Sequence, residues 1–127
     1  MEKNGKKLLV VDDENMISEP LAEKFKDEGF EVETAADGEE GLKKALEIIP
    51  DIILLDVVMP KMNGLEMLSK LRKDEKGKNI KVIVFTNVNE IEKIEEAVKD
   101  GASEYLVKVE WSLDDLVKKV KGKLGLS

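Results

Sequence analysis

Short apolar runs alternate along this chain with longer stretches in which apolar positions recur every third or fourth residue. The runs at Lys7 to Val11, Glu31 to Ala35, Ile52 to Leu55, Lys81 to Phe85 and Glu104 to Val107 read as strands. After each comes a helical period. It is carried by Ile17, Leu21 and Phe25, then by Leu42, Ala45, Leu46 and Ile49, then by the segment Leu65 to Arg72. The fourth helix, near Glu90 to Lys99, turns Ile91, Ile94, Ala97 and Val98 inward, and the last turns Leu113, Leu116, Val117, Val120 and Leu124 inward. Gly29, Pro50 and Gly101 end helices, Pro60, Asn63 and Gly64 make a turn, and Asp74 to Asn79 is a charged loop. Asp37 with Glu40 and Ser112 with Asp115 have the spacing of helix N-caps, and Trp111 before the second cap staples onto Leu116. Pro20 falls inside the first helix, so it either kinks that helix or delays its start to about Ser18.

Five strand-helix units in succession predict one α/β domain over residues 1–127, a doubly wound five-stranded parallel sheet with helices on both faces. At 127 residues the length suits a single core. A net charge of -7 argues against a nucleic-acid reader, which carries a basic face. No apolar run approaches the roughly 20 residues that cross a bilayer, and no signal peptide opens the sequence, so a cytoplasmic protein with no membrane partner is expected. Cysteine and histidine are absent, which removes disulfides, thiolate chemistry, serine-histidine pairs and imidazole ligands, so any metal must be held by oxygen. Glutamine is absent too, while Lys and Glu are abundant, a bias shared by heat-stable and consensus-like sequences.

Ligands of open α/β sheets bind beyond the carboxyl ends of the strands. In this chain those ends carry Asp12 and Asp13, Asp56, Thr86 and Lys108. An acidic residue after a strand is most often a helix cap. Three carboxylates at one sheet edge repel one another unless a cation sits among them, and magnesium is the hard, oxygen-seeking ion that also meets phosphoryl groups. One carboxylate can then act as nucleophile toward a phosphoryl donor, while an ammonium and a hydroxyl balance the charge on the phosphoryl oxygens.

With VVDDE at Val10 to Glu14, LLDVVMPKMNGLE at Leu54 to Glu66, FT at Phe85-Thr86 and YLVK at Tyr105 to Lys108, the chain resembles the receiver domain of bacterial two-component response regulators. The resemblance covers essentially the whole chain and implies a flavodoxin-like sheet in the order 2-1-3-4-5. It implies that Asp56 is the phosphoacceptor, that Asp12, Asp13, Asp56 and the backbone carbonyl of Val58 hold Mg2+, and that Lys108 pairs with the phosphoryl group. Thr86 and Tyr105 are then the switch residues. The implied donor is a histidine kinase or phosphotransfer protein, and a downstream protein would be met through Glu90 to Val107 and the C-terminal helix. Such a domain is a switch in a phosphorelay and not an enzyme, with at most slow self-phosphorylation and self-dephosphorylation.

Two positions depart from that pattern. Val109 stands where the family has a proline after the lysine, and since a cis bond before a non-proline residue costs ~2.5–4 kcal/mol the Lys108-Val109 bond is expected to be trans. Asn87 stands where the family has a small residue, so a larger amide beside the pocket is expected to modify the rates of phosphorylation and hydrolysis. Three other readings share these residues. The chain is equally compatible with a receiver cut from a longer regulator, although no effector domain fits between Val120 and Ser127. A magnesium-dependent phosphatase of the haloacid-dehalogenase kind would use an aspartyl-phosphate, but Val58 occupies the place of its second aspartate and there is no room for a cap domain. An inert or engineered scaffold would keep the residues without the signalling.

Overall fold

The computed structural model describes residues 3–87, 91–99 and 101–126. Strands β1 (Lys7–Val11), β2 (Glu31–Ala35), β3 (Ile52–Leu55), β4 (Lys81–Thr86) and β5 (Glu104–Val107) form one parallel sheet in the order β2-β1-β3-β4-β5. Helices α1 (Asn15–Asp27), α2 (Gly38–Ile48), α3 (Gly64–Lys73), α4 (Ile91–Lys99) and α5 (Leu113–Lys123) connect and cover it. The strand periodicity of two splits the core. Leu9, Val11, Ile53, Leu55, Val82 and Val84 face a cluster completed by α2, α3 and Ala97 of α4. Leu8, Val10, Ile52, Leu54, Ile83 and Phe85 face Leu21 and Phe25 of α1 and Leu116, Val117 and Val120 of α5. β3 is buried along its whole length, as a central strand covered on both faces must be, so truncating Leu54 or Leu55 to Ala should cost about 2–5 kcal/mol. The edge strand β2 exposes Glu31 and Glu33, charges that discourage pairing with another chain.

Several helix ends follow their sequence signals. Asp37 accepts from the Glu40 N–H at 2.8 Å, Asn63 from Glu66 at 2.9 Å and Ser112 from Asp115 at 3.1 Å. After α1 the N–H groups of Gly29 and Phe30 bond the carbonyls of Lys26 and Phe25 at 3.0 and 3.1 Å. The rings of Phe25 and Phe30 then meet edge to face with centroids 5.3 Å apart, the apolar contact that accompanies this kind of helix end.

Four expectations need correction. Pro20 does not delay α1, which begins at Asn15. The bond it deletes would have ended on the carbonyl of Met16, a residue 91% exposed, where water can serve instead. Ile49, Val98 and Leu113 were assigned to apolar stripes but are exposed. Each lies at the margin of its stripe, Ile49 having already left the helix with φ 46°, so the helical period continues past the surface that could cover it. The side chain of Ile91, together with Val88 to Glu90 and Asp100, lies outside the described residues, so the start assigned at Glu90 and part of that helix's apolar face do too.

Candidate functional site

The strand register makes the site. Val11 pairs with Leu55, so the next residues, Asp12 and Asp56, leave the sheet side by side. The Asp56 N–H donates to the Val11 carbonyl at 2.9 Å and fixes that adjacency. β4 runs further, since Leu55 is level with Val84, and this carries Thr86 past the carboxylates. Thr86 pairs with Val107, and Lys108 follows directly. Asp12, Asp56, Thr86 and Lys108 thus converge: the first three are buried as whole residues, and the side chain of the lysine is buried with them.

Lys108 Nζ contacts Asp12 Oδ2 and stands 3.6 Å from Asp56 Oδ2. Asp56 Oδ1 accepts the N–H of Val57 at 2.8 Å, and the Thr86 hydroxyl bonds the same carboxylate. Burial pushes the Asp56 carboxyl above the usual range. The Thr86 hydroxyl, the Lys108 charge and the Val57 N–H oppose that rise, and the neighbouring Asp12 adds to it. Asp13 is exposed at the rim. Carboxylate oxygens of Asp12, Asp13, Glu14 and Asp56 lie within 4.8 Å of one another. Four acids against one ammonium, all offering oxygen, form a donor set that fits a hard divalent cation such as magnesium.

Glu14 was not singled out from the sequence. It is the N-cap residue of α1 but makes no side-chain cap bond, and its N–H donates to Asp12 Oδ1 at 2.9 Å, so its carboxylate joins the cluster rather than the helix end. The signal was present in the acidic run Asp12-Asp13-Glu14.

The loop that follows Asp56 is held by close backbone packing. A Cβ on Gly64 would come within 2.0 Å of the Asp56 carbonyl, and one on Gly38 within 2.2 Å of the Met62 carbonyl, so both contacts require glycine. Gly38 N–H donates to Met62 O at 3.0 Å, and Lys61 Nζ lies 3.7 Å from Asp37 Oδ2. The loop is thereby strapped to the start of α2. It presents Val58, 64% exposed, to a pocket of about 200 Å3 that Asp13, Glu14, Asp56, Thr86, Asn87 and Lys108 also line. A larger groove of about 690 Å3 runs along α5 beside Trp111, but it gathers lysines and one aspartate around open surface, without the clustered acids.

Asn87 is exposed at the pocket mouth, where the sequence placed it. Tyr105 is half-buried against the α3 and α4 side of the core. The Lys108-Val109 bond is trans, and the chain continues from it into a short 3-10 turn, Lys108–Glu110, with Val109 exposed. Trp111 is half-buried against the core cluster to which Leu116, Val117 and Val120 belong.

The model of the response regulator receiver domain matches residues 8–121. The DNA-binding dual master transcriptional regulator RpaA of Synechocystis is 30% identical over 118 residues, covering 93% of this chain and 48% of that protein. The chemotaxis protein CheY of Treponema pallidum is 36% identical over 105 residues, covering 80% of this chain and 72% of that one. A chain of the CheX-CheY-BeF3-Mg complex from Borrelia burgdorferi superposes with a TM-score of 0.85 at 30% identity, over 94% of this chain and 89% of that one. The chain spans about half, or less, of the length of the transcriptional regulators it matches.

Proposed function

This chain belongs to the response regulator receiver domain family, and on that premise we propose that it takes a phosphoryl group onto Asp56 from a histidine kinase or phosphotransfer protein and answers with a change of conformation. The observation that carries this reading is the pairing of Asp12 and Asp56 at adjacent strand ends with one lysine reaching both.

The chemistry follows from the groups present. An ionised Asp56 oxygen attacks phosphorus in line, the bond from phosphorus to the donor nitrogen breaks, and the donor imidazole keeps the electron pair and takes up a proton. Burial disfavours the ionised nucleophile, and the Thr86 hydroxyl and Lys108 ammonium offset part of that penalty. Asp12, Asp13, Asp56 and the Val58 carbonyl would hold magnesium, with Glu14 close enough to add its charge. When bound, the ion supplies positive charge against the phosphoryl oxygens. Lys108 and Thr86 then gain a set of acceptors richer than a carboxylate. Hydrolysis returns the carboxylate, and at such a site it is slow. The phosphatase alternative lacks its second acid, because Val58 occupies that place.

Drawing Thr86 and Lys108 onto a phosphoryl group pulls on the ends of β4 and β5. That tension is the proposed route to Tyr105, to α4 and to α5, which is tied to β5 by Glu104 through Lys119 at 2.9 Å and Lys123 at 2.8 Å. This face would meet the downstream protein. Among the described residues no helix is long and apolar enough to cross a membrane. Amide spectra recorded with and without beryllofluoride and magnesium test the switch. Shifts should reach Ile91–Lys99 and Glu104–Val107; shifts confined to the surroundings of Asp56 would contradict it.

A further inference from the structure

Among the described residues, Lys108 has few partners for a buried ammonium. Its side chain is 8% exposed, it has one close acceptor in Asp12, and Asp56 stands off at 3.6 Å. On another side it meets the ring of Phe85, whose centroid is 5.9 Å from Nζ. Phe85 is itself 7% exposed and is held by the cluster that includes Leu106, its partner in the β4-β5 register.

An aromatic face attracts a cation through its quadrupole, and the attraction grows when water is excluded. It offers no lone pair, however, so it compensates lost hydration without fixing the N–H groups. A polar residue there would capture the ammonium. An aliphatic one would leave that side uncompensated and let the lysine settle onto Asp12. Resting on the phosphoacceptor reading of the same site, we infer that Phe85 is a positioning residue that holds the Lys108 ammonium between Asp12 and Asp56, free to transfer to a phosphoryl group. The last two residues of β4 then act on Asp56 in two ways: Thr86 bonds it directly, and Phe85 acts through the lysine.

The test uses the full chain, with Phe85→Leu and Phe85→Tyr made in the parent and Phe85→Leu repeated in a Lys108→Ala background. Initial rates of phosphorylation by phosphoramidate with magnesium should fall roughly three- to tenfold in Phe85→Leu and stay within about twofold in Phe85→Tyr. In Lys108→Ala the leucine should cause no further loss. In protein carrying 13C-labelled lysine, the ε-methylene protons of Lys108 should be ring-shifted upfield in the parent and in Phe85→Tyr, and not in Phe85→Leu. Equal slowing by the leucine in both backgrounds, or a Lys108 resonance that the leucine leaves unmoved, overturns the inference. If Phe85→Leu does not fold, Phe85→Met provides the same comparison. Should the parent accept no phosphoryl group at all, the functional reading fails, and the Lys108 resonance alone decides whether the ring holds the ammonium.

Discussion

The ammonium of Lys108 touches Asp12 and stands 3.6 Å from Asp56, so one cation serves two buried carboxylates and serves them unequally. Asp56 is the farther of the two from that charge, and its burial raises its pKa in the folded protein. A carboxyl raised in this way favours the fold fully when the pH is below its ordinary value, and that contribution is lost as the pH climbs through the raised one.

At neutral pH, without a metal, an ionised Asp56 therefore works against the fold. Asp56→Asn should stabilise the metal-free protein there by on the order of 1 kcal/mol. The gain should shrink as the pH falls into the ordinary aspartate range, where the parent carboxyl is protonated as well. Urea denaturation of both proteins in a chelator, across that range, checks the sign; a gap that widens on acidification would contradict it.

The strap between α2 and the loop after Asp56 gives a second expectation. An alanine at Gly38 must push the Met62 carbonyl away from a 2.2 Å approach, and the loop that carries Val58 moves with it. Gly38→Ala should destabilise the fold by about 1–3 kcal/mol and weaken magnesium several-fold by calorimetry. A loss of stability with unchanged magnesium affinity would separate the strap from the ion site.

Asn87 stands exposed at the pocket mouth beside Thr86, where on the proposed reading its amide would narrow the path of a small donor and of the hydrolytic water. In-line transfer tolerates little misplacement of the attacking atom. Asn87→Ala should speed phosphorylation by a small donor several-fold, a barrier change on the order of 1 kcal/mol, and should speed dephosphorylation too. Magnesium affinity should hardly change, because Asn87 is outside the proposed ligand set. Unchanged rates would mean that the amide does not obstruct the pocket.

Much of this was legible in the sequence because the informative residues sit at strand ends. Five apolar runs gave the strands, right-handed connections gave the two covered faces, and the residues just past Val11, Leu55 and Val107 had to share one edge. Depth was not legible. Periodicity says which way Ile49, Val98 and Leu113 point, but not that the covering element stops short of them. Contacts far apart in sequence were hidden as well. Arg72, which read only as the end of α3, donates to the carbonyls of Gly77 at 2.8 Å and of Gly101 at 3.0 and 2.8 Å, and so ties the end of α3 to the turn before β5. Phe85 read as the end of the fourth strand, and its relation to Lys108 depends on a β4-β5 register that no local pattern specifies.

On the proposed function, Asp56 accepts a phosphoryl group with the help of magnesium. Intact mass after incubation with phosphoramidate and magnesium measures this directly. One phosphoryl group should be added to the parent, with none in Asp56→Asn and strong suppression in chelator. No added mass in the parent, or the same addition in Asp56→Asn, would contradict the account.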